Sequence, residues 1–143
     1  MAQEQWDHVT SIRIAAPVEA AFAFMSDARN ISEWALGALH PVEAKPDAYI
    51  GNSMIDGQRV FVQVAAEPML KHVEFRTGSG WDRLEQLILC RIVDDRAEDG
   101  RDACILSLAT QRLPSLPAQR WQQLCASHEL EMFIIKNRIE AAR

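Results

Sequence analysis

The opening third of the chain restricts its possible folds more than any other segment. A strand pattern, Val9-Thr10-Ser11-Ile12-Arg13-Ile14, runs almost directly into Ala16-Pro17-Val18-Glu19-Ala20-Ala21-Phe22-Ala23-Phe24. Pro17 suits the first turn of a helix, where its missing N–H costs nothing. Phe22, Met25 and the neighbouring alanines give that helix one apolar side. After a polar break at Asp27-Ala28-Arg29, Asn30 is placed to cap a second short helix, and Glu33 three residues on completes a capping box. Trp34, Leu36 and Leu39 then turn inward. Two short helices between a first strand and a long run of strands leave few topologies open.

From His40 the apolar period becomes two. Val42 and Ala44 alternate with polar neighbours, Gly51 to Ile55 reads as a short strand, and Asp56-Gly57 is a hairpin-turn signal. Arg59 to Val64 is the clearest strand, and Glu67-Pro68 ends it. His72 to Thr77 follows, then a turn at Gly78-Ser79-Gly80. Leu87 to Val93 and Ala103 to Thr110 form a last hairpin across an acidic, Gly-containing loop. Six or seven strands on short connections make one antiparallel sheet. A final helix is expected from near Ser115 to the C-terminus, with Trp121, Leu124, Cys125, His128, Met132, Ile135 and Ile139 on one stripe. The expected class is therefore α+β, a helix-grip arrangement in which a curved antiparallel sheet wraps a long C-terminal helix. With 143 residues, no repeat and no linker, residues 1–143 read as a single domain.

The order of elements, the strand–Ala-Pro-Val–helix opening, the Asp27…Asn30…Trp34 spacing and the closing helix resemble the START/birch-pollen-allergen (SRPBCC) superfamily, within it the polyketide cyclase/dehydrase-like group. The resemblance covers about residues 7 to 142. It implies a deep apolar cavity between sheet and C-terminal helix. Members of the superfamily include lipid and hormone binders, aromatic polyketide cyclases, oxygenase domains and chaperone-ATPase activators. The shared residues are scaffold, so fold alone does not choose among these functions.

Charge excludes some partners. Fifteen Lys and Arg against twenty Asp and Glu leave a net charge of −5, with the basic residues dispersed. Neither a nucleic acid nor a bulk membrane surface is the expected partner. No apolar stretch reaches the length of a membrane span, and the first residues carry no basic-then-apolar leader, so a cytoplasmic location is expected. Cys90, Cys104 and Cys125 are odd in number and set in apolar contexts, which reads as reduced thiols. His8, His40, His72 and His128 show no metal-ligand spacing, and no Gly-rich phosphate loop precedes a helix; neither metal nor cofactor is expected.

The expected function is binding of a small hydrophobic or aromatic molecule, lipid-like or polyketide-like. His128, central on the helix stripe, is the leading candidate to orient a ligand or shuttle a proton. Its alternative is a core histidine bonded to backbone or to Glu131. Trp34, Trp81, Phe61, Arg91, Trp121, Met132 and Cys125 complete the candidate ligand wall. Trp34 also suits a core position, and Trp81 a rim. Arg59, Phe61 and Gln63 share one strand face and Val60, Val62 and Val64 the other, and sequence leaves open which face looks inward. Two further readings stay open: a cyclase or dehydratase using His128 or Glu74, and a protein-interaction module. Leu130, Phe133 and Ile134, off the helix stripe, are either swallowed by a deeply embedded helix or form a homodimer patch.

Overall fold

The structure is a computed structural model that describes residues 5–142. Strand β1 (Asp7–Ile14) is followed by helix α1 (Val18–Ser26), a 3-10 turn (Ala28–Asn30) and the one-turn helix α2 (Ile31–Trp34). Six strands come next: β2 (Leu39–Lys45), β3 (Ala48–Asn52), β4 (Arg59–Glu67), β5 (His72–Gly78), β6 (Gln86–Asp94) and β7 (Cys104–Gln111). Helix α3 (Ala118–Ala141) closes the chain. The strands form one antiparallel sheet in the order β1-β7-β6-β5-β4-β3-β2. No helix among the described residues is long and apolar enough to cross a membrane.

The register decides which side chains face α3. Val62 and Val64 are buried while Arg59 is exposed and Phe61 and Gln63 are half-buried, so the valine face of β4 looks inward. Cross-strand partners share a face. Tyr49, Val62, Thr77 and Gln86 therefore form one inward row, and Val64, Phe75, Ile88, Thr110 and His8 another. The deep end of this face is filled. Val73, Phe75, Cys90, Ile92, Leu106 and Leu108 from the sheet join Met25, Ile31 and Trp34 from the short helices and Met132, Ile135 and Ile139 from α3.

Several local expectations are corrected. The capping box at Asn30 does not form: Asn30 is itself helical, and its Nδ2 donates to the carbonyl of Phe24 at 2.9 Å. Asp27 caps instead, its carboxylate accepting from the Arg29 backbone N–H at 3.1 Å. The strand expected at residues 51–55 is shifted toward the N-terminus and keeps only Gly51 and Asn52 of that range. β3 starts earlier, at Ala48, and 53–58 are the connection in which Gly57 adopts φ +72. α3 begins at Ala118 rather than Ser115, because a residue preceding proline is disfavoured in the helical region and Pro117 lies within the expected first turn, after Leu116. Leu130 and Phe133 remain 51% and 61% exposed, so α3 is not deeply embedded on that side.

Four polar contacts, at three points, fix α3 along its length. Near the C-terminus, Glu140 accepts from the Ala15 backbone N–H at 2.8 Å and Lys136 donates to the Arg13 carbonyl at 2.9 Å. In the middle, Glu131 accepts from the Leu36 backbone N–H at 2.8 Å. At the start, Arg120 pairs with Asp56 in the β3–β4 connection at 3.4 Å.

Two tests follow from the packing. Trp34, 6% exposed, meets Phe75 edge-on at 5.3 Å, so Trp34→Ala should cost about 3–5 kcal/mol in urea unfolding. At Gly78 an added Cβ would lie 1.6 Å from the Arg83 carbonyl oxygen. Gly78→Ala should therefore cost about 1–3 kcal/mol and displace the β5–β6 connection, read as amide shift changes concentrated at residues 78–85.

Candidate functional site

The open end of the grip holds a cleft of about 360 Å³. Its walls are Val60 and Val62 from β4, Ile88 from β6 and Leu124 from α3, with Leu113 and Leu116 from the β7–α3 connection. Gln86 and Thr77 lie on the same inward face, but Gln86 is already bonded: its Nε2 donates to Thr110 Oγ1 at 2.6 Å and to the Gln111 carbonyl at 2.7 Å. Asp56, Gln58, Arg59, Arg83, Glu85 and Arg120 form the polar rim. Gly37 and Ala38 complete the side nearest α2. They can approach because Gly51 has no Cβ; an added one would sit 2.8 Å from the Ala38 carbonyl carbon.

The sequence candidates fall in several different places. Arg91 is exposed on the outer face of the sheet, because its neighbours Cys90 and Ile92 are the buried, inward pair. Glu74 is on that outer face too, paired with Arg76 at 3.4 Å. Phe61 also faces outward, where Trp81 packs edge-on against it at 4.9 Å and Lys45 lies over the Trp81 ring. These four do not line the cleft. Trp34 and Met132 belong to the packed core. Trp121 and Cys125 border a separate groove of about 400 Å³ beside α3, together with Gln5, Arg112 and Glu129.

His128 is inside the molecule, 3% exposed, but does not line the cleft. Glu131 is not its partner. The nearest ring is His8, with centroids 6.3 Å apart. His128 Nδ1, His8 Nε2 and Trp121 Nε1 are buried with no hydrogen-bond partner among the described residues. His8 Nε2 does lie 3.5 Å from Glu129, too long for a good hydrogen bond. Burial, with a smaller contribution from His8, pushes the His128 imidazole down to about 4, so it is neutral at physiological pH. Burial pushes the Glu131 carboxyl up to about 8, against the lowering effect of the Leu36 and Gly37 N–H groups.

The three cysteines are free. Burial raises Cys90 to about 12 and Cys104 to about 11, which keeps both thiols protonated and unreactive. Cys125 is raised as well, by burial and then by Glu129. Among the described residues, no group of three or more His, Cys, Asp or Glu side chains could hold a metal ion.

Sequence reasoning missed Val60, Val62, Ile88, Leu124 and Arg120 as cleft residues. The alternation in β4 and β6 carries the signal for the first three once one inward residue is known. Arg120 has no signal of its own, since its place depends on where α3 starts.

Comparison with solved structures bears on this geometry. A START superfamily protein from Mycobacterium smegmatis superposes with a TM-score of 0.73 at 16% identity, covering 97% of this chain and all of that one. This chain has a START-type helix-grip fold. XoxI from Bacillus cereus shares the fold at a TM-score of 0.71 and 6% identity, over 94% of this chain and 96% of that one. So does the di-domain ARO/CYC BexL from the BE-7585A biosynthetic pathway, at 0.70 and 12% identity, over 95% of this chain and 47% of that one. Neither a protein-family model nor a curated protein sequence matches the chain.

The two buried titratable groups of α3 push stability in opposite directions with pH. His128 takes a proton near 6.5 when unfolded but near 4 when folded, so its neutral burial is fully tolerated above 6.5 and stability falls from there toward 4. Glu131 ionises near 4.5 when unfolded but near 8 when folded, so stability is highest below 4.5 and falls as pH rises to 8. Each slope is at most about 1.4 kcal/mol per pH unit. Urea unfolding of Glu131→Gln should show stability rising from pH 4 to 6.5 and then level; His128→Gln should show it falling from 4.5 to 8.

Proposed function

We propose that this protein binds one small, mainly apolar molecule in the cleft between the sheet and the first half of α3. The observation that carries the reading is the cleft itself: an apolar wall from three secondary-structure elements beneath a polar rim, beside a buried apolar core. Small-molecule sites are built this way. At about 360 Å³ the space is near the low end for such sites, which suits a one- or two-ring compound or a single medium acyl chain rather than a two-chain phospholipid. Affinity comes from the walls, at about 25 cal/mol per Å² of apolar surface removed from water. The fold shared with a START superfamily protein and with the ARO/CYC BexL is compatible with ligand binding. A cyclase reaction drawing on Glu74 or His128 is not supported, since one faces outward and the other stands away from the cleft. Buried, protonated Cys90 and Cys104 suit a reducing compartment, in keeping with a cytoplasmic location.

Thermal unfolding with a panel of naphthalene, flavonoid and C8–C12 acyl compounds tests the reading. At least one should raise the midpoint in a concentration-dependent way, and Leu124→Trp, which fills the cleft from α3, should remove the shift while the protein stays folded. No shift from any member, together with native mass spectra free of a co-purified small molecule, would overturn it.

A further inference from the structure

Resting on the reading of the cleft as a ligand site, the rim chemistry points to the guest's polar end. Arg120 stands in the first turn of α3 and Asp56 in the β3–β4 connection, and both line the cleft. Their ion pair spans its mouth, but loosely. The guanidinium lies 3.4 Å from the Asp56 carboxylate, and its second contact, to Gln123, is 3.3 Å. Guanidinium–carboxylate bonds ordinarily close to about 2.7–2.9 Å. The two side chains remain 38% and 32% exposed. Asp56 is also engaged elsewhere, accepting from the Gln58 backbone N–H at 3.0 Å. It is thus a poor competitor for the arginine.

The charges nearby point the same way. Arg59 and Arg83 are on the same rim and make no ion pair among the described residues. The rim holds these three arginines against Asp56 and Glu85, in a chain whose overall charge is −5. α3 has no acidic residue in its first turn and no side-chain cap at Pro117, so its positive end adds to the field without making a site by itself.

We propose that the guest is an amphipathic monocarboxylate, its ring or chain against Val60, Val62, Ile88 and Leu124 and its carboxylate taking the place of Asp56 on Arg120. The exchange is like for like: one carboxylate leaves the guanidinium and another, entering with its apolar body already buried, takes up bidentate contact. No covalent step is involved.

Calorimetry with 1-naphthoate and the neutral analogue 1-naphthylmethanol at low salt reads this out. The wild-type protein should prefer the acid by about tenfold, the scale of one charge-assisted contact. Arg120→Gln should abolish that preference, leaving the alcohol within about twofold. Asp56→Asn should do the reverse and tighten the acid several-fold with the alcohol unchanged. The opposite sign of the second variant keeps the test valid if the first is poorly folded. Equal wild-type affinity for acid and alcohol, or weaker acid binding by Asp56→Asn, overturns the carboxylate assignment while leaving the cleft as a binding site. Failure of both compounds and of the wider panel overturns the cleft reading and this assignment with it.

Discussion

The carboxyl group of Glu131, buried on α3, accepts backbone N–H groups from Leu36 and Gly37, and the position of nearly everything around the cleft depends on that contact. It ties the middle of α3 to the segment that leaves α2. That segment continues into Ala38, which lies over Gly51 of β3. Helix, linker and sheet are thus locked at one point. On the C-terminal side of the lock, α3 packs into Met25, Ile31 and Trp34 and the interior is solid. On the N-terminal side the helix rests on β1 through His128 and His8, its far end reaches the sheet through the loose Arg120–Asp56 pair, and the cleft lies there. A buried acid with two N–H donors and no cation is costly to keep ionised, and its raised affinity for a proton is the visible sign of that cost.

Much of the fold was legible because the physics that sets it is local. Alternation in Arg59 to Val64, apolar runs bounded by turn signals in the two late strands, and a 3.6-residue stripe over the last helix each specify an element without reference to the rest. The failures were also local, and they came from competition between signals. Asn30 carries the side chain of a cap, but its amide reaches back to the Phe24 carbonyl, and the neighbouring Asp27 does the capping. Pro117 delays α3 by three residues, outweighing the helical pattern that begins at Ser115.

The site was far less legible, because it depends on tertiary register. The helix stripe containing Trp121, His128 and Met132 does face inward, but a stripe gives direction and not depth. Met132 meets core, His128 meets His8, and only Leu124 and Arg120 reach the cleft. Likewise Phe61 and Trp81 find each other on the outer sheet face, a contact no periodicity announces. Arg91 and Glu74 were polar positions in apolar strands, and such a position on an antiparallel sheet with one wet face usually points to water.

The outermost strand opposite β1 has a consequence of its own. β2 carries Val42 at 68% exposure on a free margin of the sheet, a setting that invites a neighbouring molecule to continue the ladder. Its pairing with β3 is broken twice, between Leu39 and Val42 and again between Glu43 and Lys45. His40 adopts φ +49 and Pro41 lacks an N–H to offer. Such a crooked, donor-poor border is a poor template for a continued ladder on that side of the sheet, despite the valine on its flank.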